Sequence, residues 1–181
     1  MNKPVYFSFM QLVDQNTANR LMDLCNKAIA SGYTEINLLM NSTGGVIIQG
    51  IALYNYLMSL PIPVNTYNLG AVASIANIVF LSGRNRMAAQ NATFSFHGST
   101  LQIQGPSEIS IPQMKDAIAN LALQESKICS VYTERTRLSL EDVNGFFLQA
   151  VTEGADFALE KGIIHAVGPL SILPGASIQQ I

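Results

Sequence analysis

Three short stretches hold the residue types that could do covalent chemistry: Asn41-Ser42-Thr43-Gly44-Gly45-Val46, Gly70-Ala71-Val72-Ala73-Ser74 and Phe96-His97. Ser74 follows an alternating run, 64–69, that reads as a strand, and it leads into apolar residues up to Leu81 that read as a buried helix. At such a turn the first helical N–H groups are unpaired and the dipole is positive, so an oxyanion on an attacked carbonyl would be stabilised. A serine there is either a nucleophile or an N-cap, with Gly70, Ala71 and Ala73 small for close packing. The Gly44-Gly45 pair is also open to two readings. It either supplies a backbone of positive φ or lets an N–H approach a ligand closely. It is not a phosphate loop, lacking both a Gly-Lys-Ser/Thr ending and Gly-x-Gly-x-x-Gly spacing. If Ser74 has a base, His97 at the end of a strand-like run is the better placed of the two histidines, and His165 reads as a surface residue.

The elements that must position these residues follow from periodicity. A first strand is expected over Val5–Met10. A helix capped by Asp14 to Thr17 should follow, with Ala18, Leu21, Met22, Cys25, Ala28 and Ile29 on one face. Glu35–Met40 reads as a second strand running into the glycine pair, and Ile47, Gly50, Ile51, Tyr54, Leu57 and Met58 as a helix closed by Pro61 and Pro63. Strand, glycine turn, helix, strand, small-residue turn, helix is the pattern of a repeated right-handed parallel unit. Short strands are expected at 85–89 and 92–96, and an edge strand at Leu101–Gln104. A helix from about Pro112 to Arg137 would be roughly 35–40 Å long, more than one face of a compact domain needs, and is expected to project and pack on another subunit. Ser139 should cap a short helix, Ala155 to Lys161 should form another stopped by Gly162, and Ile163–Val167 is strand-like. The tail beyond Gly168-Pro169 carries no pattern.

Composition bounds the remainder. One domain is expected from 181 residues. With 12% charged and 49% hydrophobic residues and a positive mean hydropathy, the chain has more apolar side chain than one core normally uses, which points to a large subunit interface. A net charge of −2 gives no basic footprint for nucleic acid. Cys25 and Cys129 fall on apolar helical faces, as packed thiols rather than a disulfide or metal pair, which suits reducing cytosol. No signal core or membrane span is seen, and neither metal nor cofactor is expected.

From Val5 to Val167 the chain resembles the proteolytic subunit of the Clp protease family. The three stretches above carry the resemblance, with the long helix and Ser139-Leu140-Glu141 through Glu160-Lys161-Gly162-Ile163, and the Gly45-to-Ser74 distance fits the family's spacing. The resemblance implies an α/β ClpP/crotonase fold of repeated β-β-α units with a projecting handle helix. It also implies a ring of seven or fourteen subunits, with Ser74 as nucleophile, His97 as general base, the N–H groups of Gly45 and Ile75 as oxyanion hole, and peptides or unfolded proteins as substrates. An AAA+ Clp ATPase is the partner it suggests. Three departures stand out. Thr43 replaces the usual proline. The chain starts almost at its first strand, so the pore-lining N-terminal segment is expected to be short and coupling to an ATPase weak. The position of the triad aspartate falls on Ala150, or on Leu148 or Gln149 with a small shift. Thr152 or Gln149 as neutral acceptors, or Glu153 as a carboxylate, are the candidates to orient His97 in its place. A weakened or inactive ring subunit is the second reading, and a crotonase-type acyl-CoA enzyme the third.

Overall fold

Val5, Phe7 and Phe9 of strand β1 (Pro4–Phe9) enter the main core while Tyr6 faces the other side, so β1 is buried on both faces, as strands of parallel sheets are. A computed structural model describes residues 3–100 and 109–181. Helix α1 (Gln15–Ala30) starts where expected, with the Asp14 carboxylate accepting from the Thr17 N–H and Thr17 Oγ1 accepting from the Asp14 N–H. Strand β2 (Glu35–Ser42), helix α2 (Ile47–Ser59), strand β3 (Val64–Ala73) and helix α3 (Ile75–Leu81) follow, then β4 (Arg86–Ala88) and β5 (Thr93–Ser95). The expected edge strand at Leu101–Gln104 lies outside the described residues.

Helix α4 (Ile111–Arg135) is the long helix. Only its last third is anchored, through buried Ile128, Cys129 and Tyr132, whereas Ile111, Ile118 and Leu123 stand exposed. Helix α5 (Leu140–Gln149) is capped by Ser139 and Asp142, and α6 (Ala155–Glu160) stops before Gly162, whose φ is +70°. Three strands complete the sheet: β6 (Thr152–Gly154), β7 (Ala166–Val167) and β8 (Ile178–Gln180). β6 and β8 have no sequence signal, and the strand-like run 163–167 pairs only at its end. The tail is not idle. Leu170, Ile172 and Ala176 cover Tyr6, Leu39 and Tyr67 on the second face of the sheet, and the Tyr67 hydroxyl donates to the Gly168 carbonyl.

The sheet order is β6-β5-β3-β2-β1-β8, with β4 pairing β3 and β7; every pair is parallel except β5–β6. One edge of β3 serves two strands in turn. Thr66–Asn68 pair with Arg86–Ala88, and Ala71–Ala73 with Thr93–Ser95. Between them the register against β2 slips from Met40↔Asn68 to Ser42↔Val72. Asn68, fully buried, holds this bulge: its Nδ2 donates to Thr93 O at 2.9 Å and its Oδ1 accepts from Gly70 N at 3.0 Å, while Asn41 Oδ1 accepts from Ala71 N at 2.9 Å.

Beyond α3 the chain is held by a buried cation. Arg86, 4% exposed, donates from Nε to Ile163 O and from its two Nη atoms to Gly83, Arg135 and Gly162 carbonyls. Burial, helped by Arg135, pushes its pKa down to about 10. Arg86→Leu strips four carbonyls of a donor and should cost on the order of 3 kcal/mol in urea unfolding; full stability would show that the carbonyls find other partners. The Arg86 N–H also donates to His165 Nδ1 at 3.3 Å, which requires that nitrogen unprotonated. Burial first, then Arg86 and Arg135, hold the His165 pKa below its ordinary 6.5. With the folded value depressed, the contribution is complete above 6.5 and is lost as the pH falls through the folded value. Melting temperature should therefore drop below pH 6.5, and drop less in His165→Gln.

Candidate active site

Ser74 occupies φ 55°, ψ −132°, a conformation that non-glycine residues rarely adopt. Hydrogen bonds on both sides of the residue hold it there. The Ser74 N–H donates to Ser95 O at 2.9 Å, the Ser74 carbonyl accepts from the Asn77 N–H at 3.0 Å, and Asn77 Nδ2 donates to the same Ser95 carbonyl at 2.8 Å. The Ser74 side chain makes no capping bond, so it is not spent on the helix it precedes. The Ile75 N–H, at the first helical position, has no intrahelical acceptor.

The glycine pair lies against this turn. Gly44 has φ +99°, and a Cβ on it would sit 2.7 Å from Ser74 Cβ; Gly45 has φ +149°, and a Cβ there would sit 2.3 Å from Val13 O. Both glycines are thus required by conformation and by close approach together. The loop after β1 braces them: Val13 N–H donates to Gly44 O, Val46 N–H donates to Val13 O, and Ser42 Oγ donates to Gln11 O. The Gly45 N–H is left without a partner among the described residues. No sequence motif announced this bracing, since residues 11–13 match nothing recognisable.

Gly45, Ser74, Ile75 and His97 line one cleft of about 660 Å³. Its far wall is a single face of α4, with Ala117, Leu121 and Ile128 interleaved by Asn120 and Gln124. His97 is exposed, and no hydrogen bond joins it to Ser74. Its Nδ1 lies 2.8 Å from the Gly98 carbonyl oxygen. Because a carbonyl oxygen only accepts, Nδ1 carries a proton, and in the neutral ring it is then Nε2 that holds the lone pair.

The candidates for a third residue separate by geometry. Thr152 Oγ1 is hydrogen-bonded to Ser95 Oγ at 2.8 Å. Glu153 is paired with Phe94, whose ring is in the core, and strand alternation puts His97 on the opposite face with Ser95. The ladder continues with Phe96 N–H donating to Val151 O, which sets Ala150 opposite His97, and Gly98 N–H donates to Phe147 O. Ala150 is left-handed, φ 54°, ψ 67°, and brings no carboxylate. A carboxylate does reach this loop from elsewhere: Glu125 Oε1 on α4 accepts from the Ser99 N–H at 2.7 Å. Helical periodicity marks Glu125 only as a polar residue, and its contact spans a segment whose conformation a sequence does not reveal.

A family model described as Clp protease matches residues 3–169. The chain belongs to the Clp protease family. The ATP-dependent Clp protease proteolytic subunit 1 of Mycobacterium leprae (strain TN) is 27% identical over 132 residues, 71% of this chain and 60% of that protein, so the match spans less than two thirds of the relative's length. Among solved structures, a ClpP1 mutant from Listeria monocytogenes has a TM-score of 0.79 over 91% of each chain at 16% identity, a likeness of fold. Among the described residues no helix is long and apolar enough to cross a membrane.

The contact between Gly44 and Ser74 is open to a direct check. Gly44→Ala places a methyl against the Ser74 side chain on a backbone of φ +99°, so a loss of about 2 kcal/mol or more in chemical unfolding is expected. A wild-type unfolding midpoint would show that the turn has room to yield.

Proposed function

We propose that this chain is a ring-forming subunit of a Clp-type serine peptidase that cleaves unfolded proteins or short peptides. The observation that carries the reading is the convergence of Ser74, on its strained strand-to-helix turn, with His97, Gly45 and Ile75 in one cleft. In this mechanism His97 Nε2 takes the Ser74 proton as Oγ attacks the peptide carbonyl. The N–H groups of Gly45 and Ile75 stabilise the oxyanion, and the imidazolium returns its proton to the leaving amine. Water then repeats the sequence on the acyl-enzyme. The direct Ser74–His97 bond forms on substrate binding, as catalytic hydrogen bonds in free enzymes are often open.

The Gly98 carbonyl fills the acceptor role of a triad carboxylate without its charge. Substituting the aspartate of a serine protease triad costs on the order of 10⁴ in kcat and still leaves catalysis above background. The enzyme is accordingly slow. The second reading, an inactive subunit, draws on Ala150, because nothing acidic faces His97 from that position. The exposed Ile111, Ile118 and Leu123 on α4 support packing against another subunit; a ring of seven or fourteen copies, the cytosol and an AAA+ Clp ATPase as partner are proposed from membership of the family alone. A stable monomer in mass photometry at micromolar concentration would count against the ring.

Labelling with a fluorophosphonate separates the two readings. Slow labelling at Ser74 is expected, abolished in Ser74→Ala, nearly so in His97→Ala, and little changed in Glu153→Gln. No labelling over hours favours the inactive subunit. Ala150→Asp should accelerate labelling, since aspartate tolerates the left-handed backbone and brings a carboxylate opposite His97.

A further inference from the structure

The two hydrogen bonds of the 97–99 loop meet on one peptide group. His97 Nδ1–H donates to Gly98 O at 2.8 Å, and Ser99 N–H donates to Glu125 Oε1 at 2.7 Å. Gly98 C=O and Ser99 N–H are the two ends of the same peptide unit. The Gly98–Ser99 peptide bond is trans, as all are among the described residues, so these ends point in opposite directions, one at the imidazole and one at the carboxylate. A carboxylate accepting from a peptide N–H draws that bond's electrons toward the carbonyl and makes its oxygen a stronger acceptor.

We infer that Glu125 is the positioning residue of His97, acting through the Gly98–Ser99 peptide in place of an acid in direct contact with the ring. The inference rests on the serine peptidase reading for its consequence. Its geometry is independent of that reading. Glu125 orients the peptide plane, which aims the Gly98 carbonyl at Nδ1 and holds Nε2 as the free base. The polarised carbonyl also stabilises the imidazolium more than an ordinary amide would. Gly98 is held from a third side by its own N–H on Phe147 O at 3.1 Å, so the peptide has little freedom to turn away once Glu125 is in place. Glu125 is half-buried on α4 about one turn before the anchored Cys129, which limits where its carboxylate can reach.

Glu125→Gln separates charge from tether, because the glutamine carbonyl can still accept from Ser99 while carrying no charge; Glu125→Ala removes both. The fluorophosphonate reaction at Ser74 is measured as a maximal rate and a half-saturating concentration, alongside melting temperature. The expected result is a maximal rate about tenfold lower in Glu125→Gln, with half-saturation and melting temperature unchanged, and lower still in Glu125→Ala. In an Ala150→Asp background Glu125→Gln should no longer lower the rate, since a carboxylate facing the imidazole makes the relay unnecessary. A tether that only shapes the loop would lower the rate by the same factor in both backgrounds. An unchanged maximal rate in both Glu125→Gln and Glu125→Ala overturns the inference while leaving the peptidase reading intact. If Ser74 of the native protein does not react at all, the peptidase reading fails separately, and ¹⁵N spectra of the His97 ring still decide. The Nδ1–H tautomer in native protein, lost in Glu125→Ala, upholds the positioning role, and the same tautomer in both overturns it.

Discussion

The position of Ser74 at the cleft depends on one buried amide. Asn68 ends the part of β3 that pairs with β4, bonds across to Thr93 at the start of β5, and accepts the Gly70 N–H that the slipped register would otherwise strand. By tying β5 to the far half of β3, it brings Ser95 alongside Ala73 and so puts the Ser95 carbonyl where the Ser74 N–H and Asn77 Nδ2 can both reach it. The strain at Ser74 is held by those bonds. Backbone in such a region costs about 1–3 kcal/mol and persists only when its surroundings over-determine it. Here two donors converge on one acceptor, and the bulge two turns of pleat away sets where that acceptor lies.

Local signals made much of this legible. The caps at Asp14 and Ser139, the glycine stop at 162, the strand-turn-helix repeats and the face of the long helix are all short-range physics, and each is found within a few residues of its expected place. The bulge itself was not legible. Asn68 looks like a polar interruption in an apolar run, and only a partner 25 residues away gives it meaning. β6 and β8 escaped for the same reason: Thr152–Gly154 and Ile178–Gln180 are too short to show a period and exist because a neighbouring edge accepts them. At the cleft, Ser74 and His97 could be named from turn positions, and Gly45 and Ile75 from the family resemblance. The loop at 11–13 and Glu125 could not, because their contacts are set by tertiary approach.

Part of the apolar surplus of the sequence stands on the unanchored part of α4, at Ile111, Ile118 and Leu123, and at Leu148, 89% exposed at the end of α5; Leu12, Val46, Ile48 and Leu140 are exposed elsewhere. A helix whose last third is buried while its first turns carry isoleucine and leucine into solvent is stable alone only through its propensity and its Ser110–Gln113 cap. Burial of those side chains against another surface would stabilise it further, at roughly 25 cal/mol per Å² of apolar area. That same helix forms the cleft's far wall and carries Glu125. Anything that packs on its free end therefore bears on the site through a rigid element. In the proposed ring, this geometry would couple assembly to the site without a separate device.

The histidine shows what an uncharged acceptor can and cannot supply. A carbonyl fixes the tautomer as well as a carboxylate does, since either accepts one N–H. What differs is the charged intermediate. In the proposed mechanism, where His97 takes the serine proton, a carboxylate in contact would lower the energy of the imidazolium by direct attraction, whereas a carbonyl offers only its dipole. The shortfall is felt in the step that generates the nucleophile, not in binding. In the proposed relay a negative charge set one peptide further back recovers part of it through the polarised Gly98–Ser99 amide. On that reading orientation is retained while the charge beside the ring is diluted, so the loss falls on rate and leaves the architecture of the site intact.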